Sequence, residues 1–164
     1  MNTDAEIIEA LIGRVTELEA RAAIRDLVSD YCHGFDKRNY QRFLSIWSTD
    51  CVWDIGPPFG CFEGHAGIHE AVHEVLWPAW QETHHLTTNL HIEFQDTDNA
   101  TSLCDVDCMG TLNGETECTT VGASYSDTLR REDDGWKILK REVQIHYMNA
   151  IPGTVLTAPA AAPD

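Results

Sequence analysis

The sequence predicts an α+β domain in which N-terminal helices pack against a curved, mostly antiparallel sheet. Apolar residues recur at spacings of three and four through the first part of the chain and alternate with polar residues from Asn89 onward. Two turn signals, Asn113-Gly114 and Asp133-Asp134-Gly135, cut that second half into the strands of a meander. At 164 residues the chain fits one compact domain that buries roughly two thirds of its unfolded surface around a single core.

Ile8, Leu11, Val15, Leu18 and Ala22 make one apolar seam on a first helix, with Glu6, Glu9, Glu17 and Glu19 on its other sides. Residues 1–20 are therefore expected to form a helical extension that packs on the domain or on another subunit. The main domain is expected over residues 21–150. It begins with a helical stretch whose face carries Ile24, Leu27, Val28, Tyr31 and Phe35, and Gly34 marks its expected stop, which leaves Asp36 at the helix exit. A short helix from Tyr40 to Trp47 leads into a strand-like run, Cys51 to Ile55, that Gly56-Pro57-Pro58 breaks. A helix from about Gly64 to Trp77 follows, then strands over Asn89 to Gln95, Thr101 to Leu112, Thr116 to Arg131 and Trp136 to Tyr147. Residues 151–164, rich in Ala and Pro, show no periodicity and read as a flexible tail, an arm or a flap over a pocket mouth.

The 27 acidic and 11 basic residues give a formal charge of -16, which repels nucleic acid and anionic membranes. A small neutral or apolar ligand is the partner that such a surface leaves open. No run is long and apolar enough to span a membrane, and the acidic start MNTDAEIIEALIG lacks the positive charge of a signal peptide, so the expected location is cytoplasmic. The six cysteines are scattered without a CxxC pair and are expected to be reduced and buried.

The residues that carry chemistry are Asp36 and His85. A carboxylate and an imidazole brought together in an apolar pocket make a general base near neutral pH. Taken singly, Asp36 reads as a helix-end surface carboxylate and His85 as a structural histidine. Arg141 shares an inward strand face with Val143 and Ile145 and needs a role there, or else a salt-bridge partner such as Asp127 or Asp107. Tyr31 occupies a core-facing helical position. His65, His69 and His73 line one helical face at metal-compatible spacing, but no accompanying carboxylate triad or cysteine supports a site, and no metal is expected. No phosphate loop, nucleophile elbow or dinucleotide fingerprint is present, and no cofactor is expected.

Several of these residues carry a family resemblance. Tyr31-x4-Asp36, the Trp53 strand, Leu76-Trp77-Pro78, Glu82-Thr-x-His85-x3-Asn89-Leu90, Tyr125-x-Asp127 and Gly135-Trp-Lys-x3-Arg141 together resemble the SnoaL-like branch of the nuclear-transport-factor-2-like superfamily, over roughly residues 20–150. The pattern is similar to the hexachlorocyclohexane dehydrochlorinases, to bile-acid 7α-dehydratase and, more distantly, to scytalone dehydratase. The resemblance implies a cone-shaped α+β barrel, a homotrimer and cofactor-free elimination from a small hydrophobic cyclic or aromatic substrate. It makes His85 the base, Asp36 the carboxylate that orients it, and Arg141 a cation near the leaving group or a developing oxyanion. Tyr31 would donate to a substrate oxygen, and Trp53 and Asp127 would take part in substrate binding. The dehydrochlorinase pattern has lysine where this chain has Tyr31, and the bile-acid dehydratase pattern has tyrosine, which favours an oxygen leaving group over chloride. The same dyad could instead serve a formaldehyde-releasing retro-aldol lyase, an isomerase or a polyketide cyclase, and the superfamily also contains modules that only bind ligands.

Overall fold

The computed structural model describes residues 3–156. Helix α1 (Asp4–Asp36) and the short α2 (Tyr40–Ser45) are followed by strands β1 (Trp47–Gly56) and β2 (Gly60–Glu63). A third helix, α3 (Gly64–Glu70), continues through a π-helical turn over Ala71–Leu76 into α4 (Trp77–Ala79). Four long strands follow: β3 (Trp80–Phe94), β4 (Asn99–Leu112), β5 (Cys118–Glu132) and β6 (Gly135–Ile151). The sheet order is β2-β1-β6-β5-β4-β3. Every neighbouring pair is antiparallel except β1 and β6, which run parallel. Because the edge strands β2 and β3 do not pair with each other, the sheet is open rather than a closed barrel.

The two helical stretches expected at the N-terminus are one continuous helix of 33 residues. A capping box opens it: Glu6 N donates to Thr3 Oγ1, and Thr3 N donates to Glu6 Oε2 at 2.7 Å. Gly34 is not the stop. The helix runs to Asp36 and ends where Arg38 takes a positive φ of 53°. Gly34 instead allows a close approach, since a Cβ there would lie 2.8 Å from the backbone of Phe43 within α2. The apolar face of α1 is buried from Ile24 to Phe35 against the sheet, and Tyr31, Phe35, Phe43, Trp47 and Trp53 interlock beneath it with ring centroids 5.1–6.4 Å apart.

Strand β3 starts at Trp80, well before the expected Asn89. Its alternation is hard to read because Thr83 and His85, which share its inner face, are polar. Asn89 itself, at a φ of 56°, sits in a register shift between Thr88 and His91. Five of the six free cysteines are buried as expected, whereas Cys61 is exposed on the edge strand β2. Of the expected tail, Thr154 O accepts from Cys118 N, and residues 157–164 lie outside the described residues. Among the described residues no helix is long and apolar enough to cross a membrane.

Candidate active site

Between α1 and the inner face of the sheet lies an apolar cavity of about 90 Å³ that opens to solvent. Tyr31 and Phe35 of α1 line it, with Trp53 of β1, His85 of β3, Cys108 of β4 and Tyr125 of β5. Aliphatic and aromatic side chains from Ile55, Phe59, Leu76, Trp80, Val143 and Ile145 close most of the remaining wall. A cavity walled by aliphatic and aromatic side chains with few polar groups suits a small, largely apolar ligand.

The polar groups converge at one point. Helix α1 ends at Asp36 directly against β3, where residues 83 and 85 fall on the same face. His85 Nδ1 is 2.6 Å from Asp36 Oδ1, Thr83 Oγ1 donates to the same oxygen at 2.8 Å, and the backbone N of His85 donates to Oδ2 at 2.8 Å. With three donors on one carboxylate, Asp36 fixes the imidazole ring and the tautomer in which Nδ1 carries the proton. Nε2 is then the acceptor, since both contacts of the ring, to Asp36 and to Cys108, are made through Nδ1.

Burial raises the Asp36 pKa, but the hydrogen bonds from the His85 side chain and backbone and from Thr83 outweigh it, and the carboxyl lies below its usual range. Burial likewise works to lower the His85 pKa. The Cys108 sulfur, 3.8 Å from Nδ1, and the Asp36 carboxylate reverse it, so the imidazole is held well above the ordinary histidine value. Burial raises the pKa of the Tyr31 phenol and pushes that of Tyr125 well up, so both hydroxyls keep their protons. The two oxygens are 3.5 Å apart.

Arg141 is fully buried but does not line the cavity. Its Nε and Nη2 each lie 2.7 Å from an oxygen of Asp127, its directly opposed neighbour on β5. Its Cζ sits 4.3 Å from the ring centroid of Tyr31 and 4.4 Å from that of Tyr125. Burial opposes the charge, yet Asp127 more than compensates and raises the guanidinium pKa. Of the expected site residues, Asp36, His85, Tyr31 and Trp53 thus meet around the cavity. Arg141 and Asp127 form a bidentate pair behind the tyrosine rings, and Ser102 Oγ donates to Asp127 at 3.2 Å.

Tyr125, Thr83 and Cys108 join the site without having been singled out for it. Tyr125 precedes Asp127 by two on an alternating strand, and Thr83 precedes His85 by two, so inward periodicity was the available signal. His65 engages the carbonyl of Trp47, while His69 and His73 stack together beside Tyr40. Among the described residues no group of three side chains is placed to hold a metal ion. His84 points away from His85, and His146 bonds Ser124 on an exposed part of the sheet.

Helices packed on an open, mostly antiparallel sheet, with a buried carboxylate and imidazole beside an apolar pocket, define an α+β fold. The family model described as the SnoaL-like domain matches residues 16–142, and the chain belongs to that family. It is 36% identical over 144 residues to hexachlorocyclohexane dehydrochlorinase 1 of Sphingobium indicum, which covers 88% of this chain and 93% of that protein. The crystal structure of a type 3 hexachlorocyclohexane dehydrochlorinase from Novosphingobium barchaimii superposes with a TM-score of 0.81 at 34% identity, covering 89% of this chain and 99% of that one. A scytalone-dehydratase-like protein of Novosphingobium aromaticivorans shares the fold, with a TM-score of 0.76 at 20% identity over 92% of this chain and 99% of that one.

Proposed function

We propose that the chain is a cofactor-independent lyase that removes HX from a small hydrophobic cyclic or aromatic substrate. The observation that carries this reading is the Asp36–His85 pair at the floor of the apolar cavity, with Nε2 left as the acceptor. His85 takes a proton from carbon, the C–H electrons form the new C=C bond, and X leaves the adjacent carbon with the electrons of the C–X bond. Asp36 stabilises the imidazolium that results. Arg141 acts as a positioning residue: its charge lies against the faces of Tyr31 and Tyr125 and strengthens their hydroxyls as donors toward the departing group. Trp53 supplies a flat wall for the ring, and Asp127, expected to bind substrate, instead positions Arg141 from behind the tyrosines.

Two observations bear on X. The paired hydroxyls of Tyr31 and Tyr125 suit an oxygen leaving group, so loss of water is the first reading. The identity to dehydrochlorinases supports the second, loss of HCl. Incubation with hexachlorocyclohexanes, hydroxysteroid enones and hydroxymethyl-bearing aromatic diols, followed by mass spectrometry, separates them. Loss of water or of HCl identifies the leaving group. Release of formaldehyde would move the assignment to the retro-aldol reaction, and no turnover of any substrate would count against the lyase.

The free enzyme must lose the His85 proton before it can act, so kcat/KM rises with pH. Because the Cys108 sulfur and the Asp36 carboxylate hold the imidazolium, the inflection is expected above the ordinary histidine value of about 6.5. Asp36→Asn removes that charge, and the inflection should move to lower pH while the plateau falls. An inflection that stays in place would show that Asp36 does not govern the base. We further read the chain as a cytoplasmic homotrimer, since unpaired cysteines fit a reducing compartment and exposed Leu86, Leu103 and Met148 offer the sheet a partner surface.

A further inference from the structure

The first half of α1 carries an apolar face that nothing in the protomer covers. Residues 3–19 are exposed throughout, the first buried residue of the helix is Ile24, and Ile7, Ile8, Leu11, Ile12, Val15 and Leu18 stand 46–64% exposed. This projection extends for roughly 25 Å. Its apolar positions alternate in steps of three and four through Ile8, Leu11, Val15, Leu18 and Ala22, which are the a and d positions of a heptad.

Both the composition and the flanking charges specify a partner. Ile8 and Val15 put β-branched residues at a, and Leu11 and Leu18 put leucine at d, the combination that favours two parallel strands. In this register the g positions are Ile7, Arg14 and Arg21, and the e positions that face them across a parallel pair are Ile12, Glu19 and Asp26. Within residues 7–22, Ile7 meets Ile12 and Arg14 meets Glu19, while Asp26 lies past the segment, where the helix is already packed on the domain. An antiparallel pair would set g against g and e against e, bringing only like charges together. Arg21 already holds Glu17 at 2.7 Å and lies over Phe94, whereas Arg14 and Glu19 have no ion-pair partner among the described residues.

We propose that residues 7–22 of α1 form a parallel two-stranded coiled coil with the same segment of a second copy of this chain. Two heptads suffice because the helix is already formed: a capping box closes one end and the buried half of α1 anchors the other, so association need not supply the cost of nucleation.

The test compares the masses of the wild type and Leu11→Glu by light scattering. Leu11 stands on the exposed face, so the variant keeps its fold and activity. The wild type is expected to have at least twice the mass of the variant, and equal masses would overturn the coil. A ratio of three with a monomeric variant would make the seam a three-stranded contact and overturn the pairing. The variant's own mass reads the trimer independently: three chains of 18.4 kDa support it and a single chain refutes it. Val15→Cys tests orientation, because an a residue faces itself only in a parallel, in-register pair. Mild oxidation should join two copies through the introduced thiols, mapped by peptide mass spectrometry, and their failure to join would overturn the parallel arrangement. Finally, Arg14→Glu should weaken the association, and adding Glu19→Arg in the same chain should restore it.

Discussion

His85→Ala is expected to lower kcat by about 10²–10⁴-fold, the usual contribution of a positioned general base, while the protein stays folded. The fold survives because the pocket keeps most of what holds Asp36. Thr83 Oγ1 and the backbone N of residue 85 still donate to its two oxygens, so the carboxylate loses one donor of three rather than being stranded. The removed ring opens onto an existing cavity, so water can solvate the site. The loss in unfolding free energy should therefore be on the order of 1–3 kcal/mol, that of one buried charge-assisted hydrogen bond, well inside the 5–15 kcal/mol of a typical domain. Thermal unfolding and single-turnover kinetics on one preparation separate the two effects. Since Asp36 acts through His85, Asp36→Asn should cost little more in the His85→Ala background. Turnover by His85→Ala within a few-fold of wild type would refute the assignment of the base.

The fold was legible in the sequence where its signals are local. Asn113-Gly114 and Asp133-Asp134-Gly135 announce the hairpins that join β4, β5 and β6, and alternation marks the strands between them. What local reading misses is long-range pairing. The parallel contact of β1 with β6 joins Trp53 to Arg141 across most of the chain and leaves no turn to betray it. The start of β3 was hidden for the opposite reason, since a strand that presents Thr83 and His85 to a cavity does not look apolar on its inner face. Even Gly34, read as a helix stop, is required instead by the backbone of Phe43, which is close in space and carries no mark in the sequence near Gly34. Within the site, Asp36 and His85 stood out through the family resemblance, since taken singly each reads as an ordinary surface or structural residue. Tyr125 did not, because a tyrosine on an inward strand face is equally well explained as packing.

Arg141 shows how far the register, rather than the residue type, settles a role. The sequence leaves Asp107 and Asp127 as equal partners, and the pairing of β5 with β6 decides between them by setting Asp127 directly opposite Arg141, while Asp107 bonds the Tyr147 hydroxyl. Arg141→Met is consequently expected to be the most destabilising single change. It strands a carboxylate whose side chain is 1% exposed, retaining only Ser102 as a donor, and leaving such a charge unpaired costs about 3–5 kcal/mol. It also removes the cation from the faces of Tyr31 and Tyr125, worth about 0.5–2 kcal/mol more. Denaturant unfolding reads the sum, and a loss below about 1 kcal/mol would contradict the buried pair. Because the low stability of Arg141→Met would obscure any effect on rate, the informative protein is Arg141→Met with Asp127→Leu. Removing both charges abolishes the desolvation penalty, so stability should return to near that of the wild type. If Arg141 serves only to hold the core together, the double variant should also turn over substrate normally. If its charge works through the tyrosine hydroxyls on the departing group, the double variant should be stable yet slow, with kcat reduced more than KM is raised, because the missing interaction grows only as charge develops on the leaving atom.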